Sequence, residues 1–276
     1  MPKRLKLLLL SIHDLSISIG PLLLILIGVL VAAYWWLDPQ PPRQVTLATG
    51  PTGSAYATFG TRYAKALAVN HIHVVLKPTD GSSDNLQLLR SGEADVAFVR
   101  GGSADPVADE AAGLTSLGSL FYEPLWIFYR GDVARRIDHK SGVLGSLTQL
   151  KGLRVNVDKP GSGVPAIMEK LFAANHLDAQ SMQLSYFEPA PAMQALLAGS
   201  LDAVVLASAP QSPLVQKLLR TPGIELMDFP ESDAYSRRFA FLSAVTLPRG
   251  VVDLARDIPP HDVELLAATT SLLSRE

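Results

Sequence analysis

The sequence predicts an α/β fold of two similar lobes joined by a hinge and preceded by one transmembrane helix. Residues 89–99 (LRSGEADVAFV) and 196–206 (LLAGSLDAVVL) each read as a helix end, a glycine, an aspartate and an apolar run suited to a buried strand. A loop containing glycine and serine precedes each stretch, within residues 49–60 and 158–172. One α/β unit therefore occurs twice, and the paired loops predict a cleft between two lobes.

Composition limits what the chain can be. Its 276 residues are 48% hydrophobic, which is typical of a folded chain with one large core or two smaller ones. The formal net charge of -2 argues against nucleic acid as a partner, because a surface that follows phosphates needs an excess of lysine and arginine. The chain contains no cysteine, which excludes disulfide bonds, thiolate zinc sites and cysteine nucleophiles.

A charge-free apolar segment occupies residues 15–37 and predicts a transmembrane anchor, because about 20 such residues span a bilayer. The aromatic trio at residues 34–36 suits the membrane interface, and the basic residues of segment 1–14 indicate a cytoplasmic N-terminus. Residues 38–44 form a proline-rich spacer. We therefore expect a single-pass protein of the inner (cytoplasmic) membrane with periplasmic lobes. A signal peptide cleaved near residues 31–33 is the alternative.

The first lobe is predicted in residues 45–125 together with 240–276. Strands and helices alternate in it, which indicates a parallel sheet with right-handed crossovers. The predicted strands are 45–49, 71–79 and 94–100, and the predicted helices are 56–69 and 80–92.

The second lobe is predicted in residues 126–239 and repeats this order. Its predicted strands are 153–157, 182–187 and 202–208, and its predicted helices are 164–175 and 191–198. Two apolar segments, 119–130 and 239–248, are expected to cross between the lobes. We expect residues 124–129 and 239–246 to lie side by side and act as the hinge.

Five segments together carry a resemblance to a known family. They are TGPTGSAY (49–56) and residues 79–99, 120–130, 150–163 and 196–210. In order and spacing they resemble the TAXI solute receptors, the substrate-binding subunits of one class of TRAP transporters. The resemblance implies a type II periplasmic-binding-protein fold that closes around a small solute, often glutamate or a related dicarboxylate, and a membrane permease as partner.

This chain departs from those receptors in two places. It has Gly53, Ser54 and Ala55 where they usually have paired glycines before the tyrosine. It also stops soon after the expected return strand, where they continue through further helices. The first departure leaves the identity of the ligand open, and the second leaves open whether the sequence is C-terminally truncated.

Candidate ligand-binding residues lie where the predicted loops and strand ends meet the cleft. Backbone N–H groups at helix starts suit a carboxylate, serine hydroxyls add donors, and an arginine fork matches the same group. Each residue also has a structural interpretation: turn or helix cap for the glycines, serines and asparagine, core packing for the tyrosine, solvation for the arginine. The candidates are Gly53, Ser54, Tyr56, Ser82, Asn85, Arg100, Ser162, Gly163 and Ser208.

Catalytic and metal sites have weaker support. Ser162 lacks the spacing of a G-x-S-x-G nucleophile elbow, and no phosphate-binding or dinucleotide motif follows a strand. His71 and His73 lie on the same face of a predicted strand, but no third metal ligand is evident. Glu123 is expected to be a structural hydrogen-bond acceptor. We therefore predict no catalytic residue, metal or cofactor. The predicted function is capture of a small anionic solute for a permease; the alternatives are a ligand sensor for a membrane partner and, less favoured, an enzyme using the same cleft.

Overall fold

The computed structural model describes residues 3–37 and 43–275, in two units. The first unit contains helix α1, Lys3–Leu37. Its segment Ile19–Trp36 has a mean hydropathy of 2.2 and is long and apolar enough to cross a membrane. The predicted span 15–37 is therefore the second part of a longer helix. Most of the predicted spacer, residues 38–42, lies outside the described residues.

The first α/β repeat opens the second unit. Its elements are β1 (Gln44–Ala48), α2 (Ala55–Ala68), β2 (His73–Lys77), α3 (Ser82–Ser91) and β3 (Val96–Arg100). The three strands are parallel, in the order β2-β1-β3. The Ser54 side chain caps α2 by accepting a hydrogen bond from the Ala57 amide, and Gly92 ends α3 in the left-handed conformation.

The second α/β repeat has the same layout. The connection to it consists of α4 (Pro106–Ala111), β4 (Leu114–Arg130), α5 (Gly131–Ile137) and a short 3-10 turn, Leu147–Leu150. The repeat itself consists of β5 (Arg154–Asn156), the 3-10 turn Pro160–Ser162, α6 (Val164–Ala174), the 3-10 turn Ala179–Ser181, β6 (Gln183–Ser185), α7 (Pro189–Leu197) and β7 (Ala203–Ala207). Its strands are parallel in the order β6-β5-β7, which matches the first repeat.

Two aspartates show that the repeats are equivalent in detail. Asp95 Oδ2 accepts a hydrogen bond from the Thr46 amide at 2.7 Å, and Asp202 Oδ2 accepts one from the Arg154 amide at 2.9 Å. In each repeat the aspartate amide also donates back to the carbonyl of that same strand residue. The shared aspartate of the sequence repeat therefore ties the beginning of the third strand of each repeat to the first strand.

The remaining elements complete a ten-stranded mixed sheet within the described residues. They are α8 (Pro213–Leu219), β8 (Ile224–Leu226), α9 (Ser232–Arg238), β9 (Leu242–Leu247) and β10 (Val263–Arg275). The main path of the sheet is β2-β1-β3-β10-β4-β7-β5-β6, with β8 paired to β4 and β9 paired to β10.

The two crossing strands differ from the expected pair. The first crossing is β4, which begins at Leu114 rather than at residue 119 and runs through Pro124 without a break. The second crossing is β10, because its residues 266–275 pair with β4 and its residues 270–274 pair with β3 of the first repeat. The expected strand 239–248 forms β9, which lies on the other side of β10 and does not touch residues 124–129 through backbone pairing. The prediction that residues 239–246 lie beside residues 124–129 was therefore wrong, because β10 takes that place.

The buried half of β4 forms the centre of the core. Trp126 and Phe128 stack on one face of the sheet, and Ile127 and Tyr129 pack on the other face. All four are buried, which is typical of a strand covered by helices on both sides.

Candidate functional site

A cleft of about 720 Å³ lies between the two repeats, where the loops after β1, β5 and β7 converge. One wall consists of residues at and just before the start of α2: residues 51–56, Thr58, Phe59 and Arg62. Residues 188–190, 206–209 and 211–214 line the wall supplied by the second repeat. Positions at the carboxyl ends of parallel strands are where α/β sheets bind ligands. The predicted cleft is therefore present.

The start of α2 faces this cleft with donor groups. The amides of Ala55 and Tyr56 lie in the first turn of α2, where backbone amides have no hydrogen-bond partner within the helix. They therefore remain available to an anion. Gly53 has a φ of +83°, and a Cβ there would meet no atom within 4 Å, so it borders open space. Arg62 lines the same wall and has no ion pair among the described residues. Of the predicted residues, Gly53 and Ser54 thus lie at a helix start that lines the cleft, a position whose amides suit an anion.

Tyr56 points into the floor of the cleft and joins a buried hydrogen-bond network. Its hydroxyl donates to Glu123 Oε2 at 2.9 Å and lies 3.0 Å from the Ser82 hydroxyl. Thr270 donates to the same carboxylate oxygen at 2.6 Å, and the Arg100 amide donates to Ser82 at 2.9 Å. Burial, aided by the Glu123 carboxylate, raises the pKa of Tyr56 above its ordinary value. The hydroxyl therefore stays a neutral donor.

Arg100 and Glu123 form a buried ion pair in this floor. They are 5% and 4% exposed, and Arg100 Nε lies 3.0 Å from Glu123 Oε2. Burial acts to lower the pKa of Arg100, but Glu123, Tyr56 and Asp158 together outweigh it and the pKa is raised, so the guanidinium stays charged. Arg100 Nη1 also donates to the Ser162 carbonyl at 3.0 Å. Two donors of the arginine fork are thus occupied within the protein.

Asn85 serves the fold of the first repeat. It is fully buried, and its amide donates to the carbonyls of Thr49 and Phe98, both at 2.7 Å. Its carbonyl accepts from the Thr79 hydroxyl at 2.7 Å. These bonds tie the loop after β1 to α3 and β3, and Asn85 does not line the cleft.

The second glycine loop, residues 160–163, packs against the first repeat. A Cβ on Gly81 would come within 2.9 Å of Ser162 Cα, and one on Gly163 within 3.0 Å of Ser82 Cβ. The Ser162 hydroxyl bonds locally, to the Lys159 carbonyl and the Val164 amide. Ser162 reaches the cleft, but Gly163 lies in the contact between the repeats. The glycines of this loop therefore permit close packing, where the sequence suggested a second anion-binding loop.

Ser208 lies in the cleft wall just after β7. Its carbonyl accepts a hydrogen bond from the indole of Trp126 at 2.9 Å. A ligand beside Ser208 would therefore change the surroundings of a buried tryptophan.

Several charged groups of the cleft were not among the predicted site residues. Lys159 Nζ binds Asp80 of the first repeat at 2.6 Å and Glu188 of the second at 2.9 Å, so it bridges the two walls. Asp158 lies on the floor beside Arg100 and is 7% exposed. The clue in the sequence was the position of Asp158 and Lys159 directly after a strand, where cleft residues of α/β sheets lie.

The described residues contain no group of three or more histidines, cysteines, aspartates or glutamates arranged to hold a metal ion. His71 and His73, which the sequence raised as a possible pair, do not line the cleft.

Solved structures share the fold. The alkanesulfonate-binding protein SsuA from Xanthomonas axonopodis pv. citri is 18% identical, with 73% of this chain and 69% of that chain covered and a TM-score of 0.49. The CcmR regulatory domain of Synechocystis PCC6803 with 2-PG is 16% identical, with 84% and 87% covered and a TM-score of 0.50. The GluR0 ligand-binding core with L-glutamate is 11% identical, with 86% of each chain covered and a TM-score of 0.51.

The likenesses to the CcmR domain and to the GluR0 core confirm the predicted fold, a periplasmic-binding-protein-like arrangement of two α/β halves. The three proteins are a solute-binding protein, a regulatory domain and the ligand-binding core of a receptor. The narrower assignment to the TAXI receptors stays a prediction. Residues 47–276 match the model of the NMT1-like family, and the chain belongs to this family.

Proposed function

We propose that this protein is a membrane-anchored extracytoplasmic receptor that captures a small solute with an anionic group and delivers it to a TRAP-type permease. The solute class is a carboxylate or an amino acid such as glutamate. The observation that carries the proposal is the start of α2, where free amides and Arg62 face the cleft between the repeats. Ligand binding that draws on both walls favours the closed arrangement, so capture needs no chemical step.

The likenesses to solved structures support this function. GluR0 has its ligand-binding core in complex with L-glutamate, and the CcmR domain is in complex with 2-PG. A two-lobed fold with a cleft of this kind therefore binds small anionic or zwitterionic molecules in other proteins.

Two substitutions at Gly53 test the anion site. Gly53→Asp adds a carboxylate beside the start of α2, whereas Gly53→Asn adds the same bulk without charge. We expect Gly53→Asp to weaken binding of an anionic solute by about tenfold to a hundredfold through like-charge repulsion, and Gly53→Asn to keep most of it. Gly152→Asp is the matched control, because Gly152 has a φ of +81°, equally open surroundings and no place in the cleft.

The readout is thermal stabilisation of the full chain in detergent across a panel of carboxylates and amino acids. A bound ligand at a hundredfold excess over its dissociation constant stabilises the protein by about 2.7 kcal/mol. Equal binding by the two Gly53 variants would contradict an anion site at this helix start. A panel without any stabilising compound would contradict solute capture itself.

A sensor that signals to a membrane partner is the second candidate, favoured by the likeness to a regulatory domain and to a receptor core. Crosslinking in native membranes separates the two functions. A polytopic permease among the crosslinked partners supports delivery of solute, and a kinase or cyclase supports signalling.

The membrane attachment rests on α1, whose segment Ile19–Trp36 is exposed and apolar. We expect the intact chain in the membrane fraction, with the second unit digested by protease added from the periplasmic side. A soluble product that begins near Tyr34 would show instead that the segment is a cleaved signal peptide.

A further inference from the structure

The floor of the cleft carries an excess of buried negative charge. Glu123 and Asp158 are both more than nine-tenths buried and both line the cleft. Arg100 is a buried cation near both, and its Nε forms an ion pair with Glu123. Asp158 forms no ion pair within the part of the chain that the structure describes.

The neighbouring lysine forms no ion pair with Asp158. Although Lys159 follows it in the chain, the Lys159 ammonium binds Asp80 and Glu188 at the mouth of the cleft. Asp158 instead accepts a hydrogen bond from the Lys159 backbone amide at 2.8 Å. Over the whole lining, three basic side chains face four acidic ones, and the excess carboxylate lies on the floor.

A buried carboxylate without an ion-pair partner is costly, because burial removes its hydration. We propose that the solute carries a positively charged nitrogen, and that Asp158 binds this nitrogen on the floor of the cleft while the start of α2 binds the anionic group. The ligand class is therefore an amino acid or another aminated acid, as opposed to a plain carboxylate. This inference rests on the proposed function, since it concerns the same cleft.

The raised pKa of Asp158 agrees with this role. Burial raises it above the ordinary value, against the opposing effects of the Lys159 amide and the Arg100 charge. A cationic group in the cleft would restore the favourable surroundings that the carboxylate lacks, so binding of an ammonium is coupled to ionisation of Asp158.

Matched pairs of compounds test the proposal on the full chain in detergent. The pairs are L-glutamate with glutarate, L-aspartate with succinate, and γ-aminobutyrate with butyrate, and each pair differs in one amino group. Binding is followed by thermal shift and by the fluorescence of Trp126, whose indole bonds the Ser208 carbonyl in the cleft wall. We expect the aminated member of at least one pair to bind about tenfold to a hundredfold more tightly, as for a charge-assisted hydrogen bond.

The variant Asp158→Asn keeps the size of the side chain and removes its charge, so it should abolish this preference. Asp233→Asn makes the same change on a surface helix outside the cleft and should leave the preference intact. Unfolding curves of both variants confirm that they are folded.

The outcomes distinguish this proposal from the proposed function. Equal binding of both members of every pair, or an unchanged preference in Asp158→Asn, overturns the amine site and leaves solute capture standing. Binding of putrescine alone would support the cation site and contradict the anion site at α2. Failure of every compound would overturn the proposed function, and the amine site with it.

Discussion

Tyr56→Phe tests whether Tyr56 holds the floor of the cleft together. The Tyr56 hydroxyl has one proton, and the carboxylate of Glu123 can only accept, so the proton lies in the 2.9 Å bond to Glu123. The Ser82 hydroxyl, which accepts from the Arg100 amide, then donates its own proton to the Tyr56 oxygen. Removal of the Tyr56 oxygen therefore breaks both bonds in a buried place.

The expected cost follows from these contacts. A hydrogen bond to a charged group contributes about 1.5 to 3 kcal/mol, so we expect Tyr56→Phe to lower the free energy of unfolding by about 2 kcal/mol. For a unit of this size each kcal/mol corresponds to about 2–4 °C, so the melting temperature should fall by about 4–8 °C. Calorimetry of the full chain in detergent measures both quantities.

Tyr186→Phe is the control, because Tyr186 is 50% exposed and its loss should change stability by less than about 0.5 kcal/mol. A double-mutant cycle with Glu123→Gln should give a coupling energy of about 1 kcal/mol or more. If Tyr56→Phe costs no more than the control, or if the two residues are uncoupled, the hydrogen bond does not stabilise the floor and Tyr56 is free to act on the ligand alone.

Three further substitutions test other parts of the site. Asn85→Ala should lower the free energy of unfolding by about 3 kcal/mol in chemical denaturation, because it removes two buried hydrogen bonds, from the Asn85 amide to the carbonyls of Thr49 and Phe98. The exposed Asn70→Ala should lower it by less than about 0.5 kcal/mol. Gly163→Ala should lower the melting temperature more than Gly152→Ala does. Both glycines have φ above +80°, but the new Cβ at residue 163 would come within 2.5 Å of Ser103 Oγ. Equal melting temperatures would contradict the close packing of the repeats. Asp158→Asn should make the ligand-free protein more stable at pH 7. Burial raises the pKa of Asp158 in the folded protein above its ordinary value of 3.8. Asp158 therefore stabilises the fold fully only at a pH below 3.8, and this contribution is lost as the pH rises through the pKa of the folded state. The gain in stability of Asp158→Asn over the unchanged protein should therefore shrink towards about pH 4. A gain that does not depend on pH would contradict a raised pKa of Asp158.

The duplicated α/β unit was predictable because its signals are local. A glycine that ends a helix, an aspartate and an apolar strand lie within about ten residues, and they recur in residues 89–99 and 196–206. The structure confirms the repeat in the strand orders and in the matching bonds of Asp95 and Asp202.

The second crossing strand was not predictable in the same way. β10 contains the run Ala267, Ala268, Thr269 and Thr270, which shows neither helical periodicity nor clear alternation. Its pairing with β3 and β4 joins residues far apart in the chain, and partners at such distances leave no mark on the local pattern. The second crossing was therefore assigned to the more strongly apolar segment that forms β9.

The buried network was missed for the same reason. Glu123 receives hydrogen bonds from Tyr56, Arg100 and Thr270, which come from three separate elements. Read singly, Glu123 was expected to be a structural acceptor, and the structure confirms that role. What the sequence could not show is that its partners include two of the predicted ligand residues, so part of their capacity to bond a ligand is already used.

Divergence between the repeats explains why the site is asymmetric. In the first repeat, Gly50 follows β1 and the loop after it is open at Gly53, so the start of α2 faces the cleft. In the second repeat Asp158 takes the place of that glycine, and the loop after it packs against Gly81. One copy of the unit thus offers amide donors and the other offers a carboxylate. A duplicated fold with two identical loops would favour a symmetric dianion, whereas this pair favours a solute with opposite charges at its two ends.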